Sequence, residues 1–455
     1  MQSSDTIVAL STPPGRSGIG VIRLSGDQSL DHARRLLRDE RFTPDPHHVT
    51  LRTLRDPESG EALDQALVTY FKGPRSFTGE DIIELSCHGS PVILLRVVDA
   101  LFRLGARAAE AGEFTLRALS NGRMNLTQAE ALRDLIDAKT EAAARQAARQ
   151  LDGELSSRIQ PVKDELIKII VPLESAIEFV EDDLPDVAIE RIGSQLDGLA
   201  ANLESLVSTF RAGRLLKEGL KVALVGRPNA GKSSLFNRLL SSERAIVTDI
   251  PGTTRDSLSE VLNIEGVPVL LTDTAGVRES NDPIEHLGIE RTRRAIADAD
   301  LVIAVVDGSQ PLGEDDEAIF AELIEAKHLV ALNKSDLESF GAARVKGSNQ
   351  ALDFLPVSAK TGAGLEELQR AILRPFEAGN DHDENFLITS ARHFDLLRRS
   401  AEALRSSNEV LRGKSSEDMI LVGLYNALLY LDDITGETTP EDVLSEIFAT
   451  FCIGK

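Results

Sequence analysis

Cysteine is nearly missing from this chain: Cys87 and Cys452 are the two among 455 residues. Two thiols supply neither a disulfide framework nor the ligand set of a structural zinc site. No apolar run approaches the roughly 18 residues that a membrane-spanning helix needs. The opening MQSSDTIVAL lacks the basic flank and long apolar stretch of a secretion signal. The expected address is therefore a reducing cytoplasm, with no membrane partner. No G-x-G-x-x-G follows a β-type run, so this chain is not expected to hold a dinucleotide redox cofactor itself. Positive charge is also short, with 50 Lys and Arg against 73 Asp and Glu and a net charge of −23. Affinity for phosphate backbones comes from basic surface, which argues against a general nucleic-acid binder and leaves room for a local RNA contact. Residues 1–120, with 14 basic and 16 acidic side chains, repel RNA least.

What is present suits a soluble multidomain protein. The chain is 42% apolar and 27% charged, and too long for one hydrophobic core. Residues 1–120 mix β-type runs (6–10, 20–24, 66–71, 81–86) with a helical stretch at 91–104, which predicts an α+β domain. Thr127 and Glu130 fit a capping box opening a helical stripe through Leu132, Leu135, Ile136 and Ala143, with Gly153 as its stop. Leu155, Ile159, Val162, Leu166, Ile169, Leu173 and Ile177 continue a helical face over 154–180, with Pro161 and Pro172 as candidate kinks or breaks. The acidic EDDLPD at 181–186 reads as a solvated turn. From Gly219 to about Phe376, apolar strands alternate with polar loops and helices, the rhythm of a parallel sheet with crossover helices. Helices return at 389–412, 416–431 and 439–451, each near a Ser or Thr cap, with Pro440 in the first turn of the last. The predicted architecture is an N-terminal α+β domain (1–120) and a helical domain in two parts (121–218 and 379–455), interrupted by an inserted α/β P-loop domain (219–378).

The inserted domain carries the strongest chemistry. KVALVGRPNAGKSS sets a β-branched run directly before G-x-x-x-x-G-K-S. The backbone from Asn229 through Ala230 and Gly231 is free to curl around a β-phosphate. Lys232 adds charge at β and γ oxygens, Ser233 can ligate magnesium, and Ser234 continues the helix start. LLTDTAGV ends a strand at Asp273-Thr274-Ala275-Gly276, where the Asp can hold magnesium through water and the Gly amide can sense a γ-phosphate. LVALNKSD ends another at Asn333-Lys334-Ser335-Asp336. A carboxylate there accepts two N–H bonds from one base edge, which guanine offers and adenine does not. Ser358-Ala359-Lys360 follows as the loop that completes the base pocket. Together these predict a site for GTP and Mg2+. Between the first two motifs, Thr248-Asp249-Ile250-Pro251-Gly252-Thr253-Thr254 occupies the switch I position, with Thr254 placed to complete the magnesium shell. After D-x-x-G, where signalling GTPases place a water-orienting glutamine, this chain has Val277, so another group must orient the water.

Beyond these motifs, TPPGRSGIGVIRLSG (12–26), SFTGEDIIEL (76–85), GEFTLRAL (112–119), LTQAEALRDLIDA (126–138), AIVTDIPGTTRD, DTAGVRE and the terminal CIGK resemble the MnmE (TrmE) family of bacterial tRNA wobble-uridine modification GTPases, over essentially the full length. The resemblance implies a K+ ion in place of an arginine finger, held by Asn229, Thr248, Ile250 and Thr253, and a catalytic acid at Glu285. It implies a tetrahydrofolate-binding N-terminal domain that also dimerises, with folate contacts at Arg23, Glu80, Arg123 and Lys455; Arg123 stands where the family often has lysine. Cys452 would then lie beside a one-carbon donor, as a nucleophile or as a residue that shapes the pocket. The implied function is GTP-dependent installation of an aminomethyl or carboxymethylaminomethyl group at C5 of the wobble uridine of tRNA. The one-carbon donor is a tetrahydrofolate derivative, and FAD and NADH come through a partner resembling MnmG (GidA). The competing reading is a GTP-dependent switch in ribosome or RNP assembly without covalent RNA chemistry.

Overall fold

The computed structural model describes residues 5–179, 186–243, 259–273, 293–324, 326–341, 354–376, 386–413, 417–439, 444, 447–452 and 454. The chain divides into two compact units: Met1–Arg133 with Gln150–Gln160 and Leu429–Lys455, and Asp134–Arg149 with Pro161–Leu428.

The first unit is built on a six-stranded sheet in the order β3-β4-β5-β2-β1-β6. Its elements are β1 (Ile7–Leu10), β2 (Ile19–Ser25), α1 (Ser29–Leu37), β3 (Val49–Arg55), β4 (Ala62–Phe71), β5 (Ile82–His88), α2 (Pro91–Arg103), β6 (Arg107–Ala108) and α3 (Glu113–Ser120). Alternation decides the faces. Ala66, Val68 and Tyr70 of β4, with Ile22, Leu24, Ile83 and Leu85, turn toward Leu36 of α1 and Val97 and Leu101 of α2 in one core. The opposite face is covered at its β1 end, where Ile7 and Ala9 pack on Phe114 of α3. At its β3–β4 end Val49, Leu51 and Leu67 stay exposed. The C-terminal residues Phe448 and Phe451 pack on Leu126 and Ala129.

The helices that follow are α4 (Leu126–Asp137), α5 (Glu141–Leu151), α6 (Glu154–Phe179), α7 (Asp186–Ser208) and α8 (Phe210–Glu218). Two local readings change, and a third that was left open is decided. The capping pair sits two residues before the expected one: Asn125 Oδ1 accepts from the Gln128 amide at 3.0 Å while Gln128 Oε1 accepts from the Asn125 amide at 3.1 Å. Thr127 is instead buried, its hydroxyl donating to Asn125 Oδ1. The single stripe expected to Gly153 is two helices, because the chain breaks at 138–140, where Thr140 Oγ1 accepts from the Ala143 amide. α6 runs unbroken through Pro161 and Pro172. Both prolines are on the exposed side, where water can satisfy the carbonyls that lose their amide partner.

In the second unit the sheet order is β12-β11-β10-β7-β9-β8. The elements are β7 (Leu220–Val225), α9 (Lys232–Glu243), β8 (Ser259–Ile264), β9 (Val267–Asp273), β10 (Leu301–Asp307), α10 (Glu314–Glu322), β11 (His328–Asn333), β12 (Phe354–Pro356) and α11 (Leu365–Leu373). All pairs are parallel except β8 with β9. β10 is buried along its whole length, as a central parallel strand covered on both faces must be. Two more helices complete the unit's described part, α12 (Ala391–Arg412) and α13 (Glu417–Thr435), the latter ending beyond the unit's Leu428 limit. α12 lies along α7, with Asn408 Nδ2 donating to the Gly193 carbonyl and Arg412 paired with Asp197. Pro440 and most of EDDLPD lie outside the described residues.

Candidate functional site

The parallel strands of the second unit all present their C-terminal ends to one edge, the place where doubly wound sheets bind ligands. The loop after β7 is built by backbone that few residues tolerate. Gly226 has φ +155°, and a Cβ there would collide with the Val305 carbonyl. Asn229 takes a left-handed φ of 62°. Lys232 is buried, and its ammonium donates to the carbonyls of Gly226 (2.7 Å) and Arg227 (3.0 Å). Burial lowers its pKa and the Asp273 charge opposes that shift. Ser233, on the first turn of α9, donates through Oγ to Asp273 Oδ2 at the end of β9, 2.8 Å away. A hydroxyl and a carboxylate at this separation are hard oxygen donors suited to Mg2+.

The β11 end supplies the base side. Asn333 is an anchor: its Nδ2 donates to the Ala230 carbonyl at 2.9 Å and its Oδ1 accepts from the Ala359 amide at 3.0 Å, joining the phosphate loop to the 358–360 loop. Ser358 is fully buried and donates to Asp336 Oδ1 at 2.7 Å. That hydrogen bond, with the Lys360 charge as a smaller contribution, holds the Asp336 carboxyl below its ordinary range. Asp336 is exposed and ionised, free to accept from a base edge. The Ser335 amide donates to the Val357 carbonyl at 3.1 Å. Two partners were not visible in the motifs. Asp307 at the end of β10 binds Lys334 Nζ at 2.6 Å, and Arg227 reaches Gln310 at 3.1 Å and Asp316 at 3.6 Å. Asp307 has no motif of its own, and Arg227, although inside GRPNAGKS, is held by partners distant in sequence.

Ser234 is exposed on α9 beside Ser233. Thr248, Asp249, Ile250, Pro251, Gly252, Thr253, Thr254, Thr274, Ala275, Gly276, Glu285 and Lys455 lie outside the described residues.

A second cluster occupies the first unit, around the 76–80 loop. Arg23 on β2 pairs with Glu84 of β5 at 2.8 Å, and its guanidinium lies 5.5 Å from the Phe77 ring centroid. Glu80 accepts from Ser25 Oγ at 2.7 Å and from Arg117 Nη1 at 3.2 Å on both oxygens. Arg123 Nε donates to the Ser76 carbonyl at 3.2 Å. One loop thus gathers Arg23, Glu80 and Arg123. Arg117, buried in α3, also binds Asp5 and Glu113, and Arg107 binds the same two acids. Burial pushes the Asp5 and Glu113 carboxyls up, but the two guanidiniums outweigh it and hold both below their ordinary range. Sequence reasoning missed Arg117 although it sits inside GEFTLRAL, because its partners span residues 5 to 113. Cys452 is exposed, and its carbonyl accepts from the Gly112 amide at 3.4 Å.

The family model for the MnmE helical domain matches residues 126–452, and that for the N-terminus of the GTP-binding protein TrmE matches residues 6–123. The tRNA modification GTPase MnmE of Koribacter versatilis is 45% identical over 100% of both chains. That of Aquifex aeolicus is 44% identical over 99% of this chain and 100% of its own. Among solved structures, the G domain of the T. maritima FeoB iron transporter is 29% identical, covering 34% of this chain and 97% of that one at a TM-score of 0.27. With both family models matched in order and near-half identity along the entire length, the chain belongs to the MnmE (TrmE) family.

Proposed function

We propose that this chain is a potassium-stimulated GTPase of tRNA modification. With a flavin-dependent partner resembling MnmG (GidA), it adds an aminomethyl or carboxymethylaminomethyl group to C5 of the wobble uridine, position 34. The observation that carries the GTPase part is the convergence of Lys232, the Ser233–Asp273 pair and the Asn333–Asp336–Ser358 network on one sheet edge. Lys232 and the 229–233 backbone bind phosphates, and Ser233 with Thr254 holds Mg2+, which neutralises charge on the β- and γ-oxygens. Asp336 reads guanine. Asn229, Thr248, Ile250 and Thr253 hold K+, and Glu285 positions water through a second water.

For the one-carbon step, the reading is supported by the cluster around the 76–80 loop. Glu80 would offer a carboxylate to the N–H edge of a pterin, with Arg23 and Arg123 contacting the remainder of a tetrahydrofolate derivative and Lys455 assigned to it by the family resemblance alone. Cys452 serves there as nucleophile or pocket residue. FAD and NADH enter through the partner. The homodimer is assigned to residues 1–120, where Val49, Leu51 and Leu67 form an exposed apolar patch on the edge of the sheet. The remaining division assigned is a helical domain in two parts, 121–218 and 379–455, interrupted by the GTPase domain at 219–378.

Two titrations test this. GTP turnover is expected to collapse when Na+ replaces K+ or in Asn229→Lys; equal rates in both salts overturn the ion site. A reduced folate is expected to bind the full chain; no binding at millimolar ligand favours the switch in ribosome or RNP assembly.

A further inference from the structure

The end of the chain is fastened to the first unit by its main chain, and the fastening uses glycine at two places. Gly454 has φ +97°, and a Cβ on it would stand 2.7 Å from the Leu10 carbonyl and 3.0 Å from Ser11 Cα. Both are backbone atoms of β1 or its end and cannot turn aside. The Gly454 carbonyl accepts from Ser11 Oγ at 3.0 Å and from Arg23 Nη1 at 3.4 Å. On the other side, Gly112 has φ +67°, and a Cβ on it would stand 2.8 Å from the Phe448 carbonyl and 3.0 Å from Phe451 Cβ. Its amide donates to the Cys452 carbonyl. Phe448 and Phe451, 5.0 Å apart, sit in the cluster with Leu126 and Ala129, and Arg133 reaches Thr450 Oγ1 at 2.5 Å while lying over the Phe451 ring.

We propose that Gly112, Gly454 and Ser11 form a clasp that fixes the backbone on both sides of Cys452, so that they are positioning residues for its thiol. The physical reason is close approach: the chain passes nearer to β1 and to the start of α3 than any side chain at 112 or 454 allows. Arg23 belongs to the same fastening. Its guanidinium is shared between Glu84 and the Gly454 carbonyl, so the residue assigned to folate contact also ties the tail to the pocket. The clasp orders the thiol without bonding the thiol itself. The clasp stands on these contacts alone; its consequence for modification rests on the proposed role of Cys452.

Cysteine scarcity makes the clasp measurable. Cys87 is buried and its thiol is pushed up to about 12, first by burial and then by the Asp64 charge. A methanethiosulfonate nitroxide on the full-length native protein therefore labels Cys452, and Cys452→Ser supplies the blank. The wild-type label is expected to give the broad spectrum of a restrained site. In Gly454→Ala, and to a lesser degree in Ser11→Ala, the narrow lines of a free chain end should dominate, with GTP turnover as the folding control. In cells, Gly454→Ala is expected to lower wobble-uridine modification about tenfold or more, as misplacement of a reacting group by an ångström does. A label equally restrained in wild type and Gly454→Ala overturns the clasp. A freed label with full modification overturns its positioning role. If Cys452→Ser itself leaves modification intact, the reading of the thiol fails while the spectra still decide the clasp.

Discussion

At the scale of single residues, the guanine reading rests on Asp336, and its environment makes a sharp forecast. Hydrogen bonds to a charged acceptor contribute about 1.5–3 kcal/mol each, so Asp336→Asn should weaken GTP roughly a hundredfold or more. The amide should favour xanthosine triphosphate, whose C2 oxygen accepts where guanine donates. Competition of the two nucleotides checks this, and unchanged preference contradicts it. Asp336 was legible because its motif is contiguous. Arg117 was not, because a buried guanidinium is defined by Asp5, Glu80 and Glu113, which only folding brings together. Replacing Arg117 by Gln removes the buried guanidinium shared by the three carboxylates, with Arg107 still holding Asp5 and Glu113, and should cost about 3 kcal/mol. The sign with pH follows from the lowered carboxyls of Asp5 and Glu113. Their contribution is full above the ordinary values of 3.8 and 4.5 and is lost as pH falls through the lower folded values. Thermal unfolding should therefore show a wide gap between wild type and Arg117→Gln at pH 7 that holds down to the ordinary carboxyl values of 4.5 and 3.8 and narrows only below them. A gap independent of pH contradicts the electrostatic account.

Elements were legible where periodicity is strong and obscure where burial is one-sided or ends are ambiguous. β1, β2, β4 and β5 announced themselves by apolar alternation. β3 did not: in VTLRTLR only Leu54 is fully buried, and the apolar Val49 and Leu51 face outward. The start of α4 was misread by two residues because Thr127 and Glu130 have the right spacing for a capping box, as do Asn125 and Gln128, and sequence alone does not rank two overlapping caps. The distinction is testable. Asn125→Ala should destabilise the first turn by about 1 kcal/mol, seen as faster hydrogen exchange of the amides that follow; unchanged exchange there contradicts the assigned cap. α6 was legible as one helix from its apolar face; of the two prolines that left a kink or a break open, neither breaks it, because their exposed placement lets the helix continue.

For the whole molecule, one feature of composition and one of surface meet. The near-neutral N-terminal segment is the part of a −23 chain least repellent to RNA, and its β3–β4 edge leaves Leu51 beside its register partner Leu67, both exposed. If that patch joins two copies, Leu51→Asp should shift the mass in solution from dimer to monomer; a dimer that survives contradicts this placement. The order of nucleotide motifs was readable from the residues, and the family resemblance already led the terminal CIGK to the N-terminal pocket, whereas the contacts that fasten it, of Phe448, Phe451 and Gly454 with residues more than three hundred positions earlier, were not readable. The central claim is that GTP hydrolysis here serves wobble-uridine modification. Nucleoside mass spectrometry of tRNA tests it most directly, using a strain lacking the protein and complemented with wild type, Lys232→Ala or Cys452→Ser. The account predicts that the C5 group disappears without the protein, returns with wild type and fails to return with Lys232→Ala. Identical modification in every strain would contradict it.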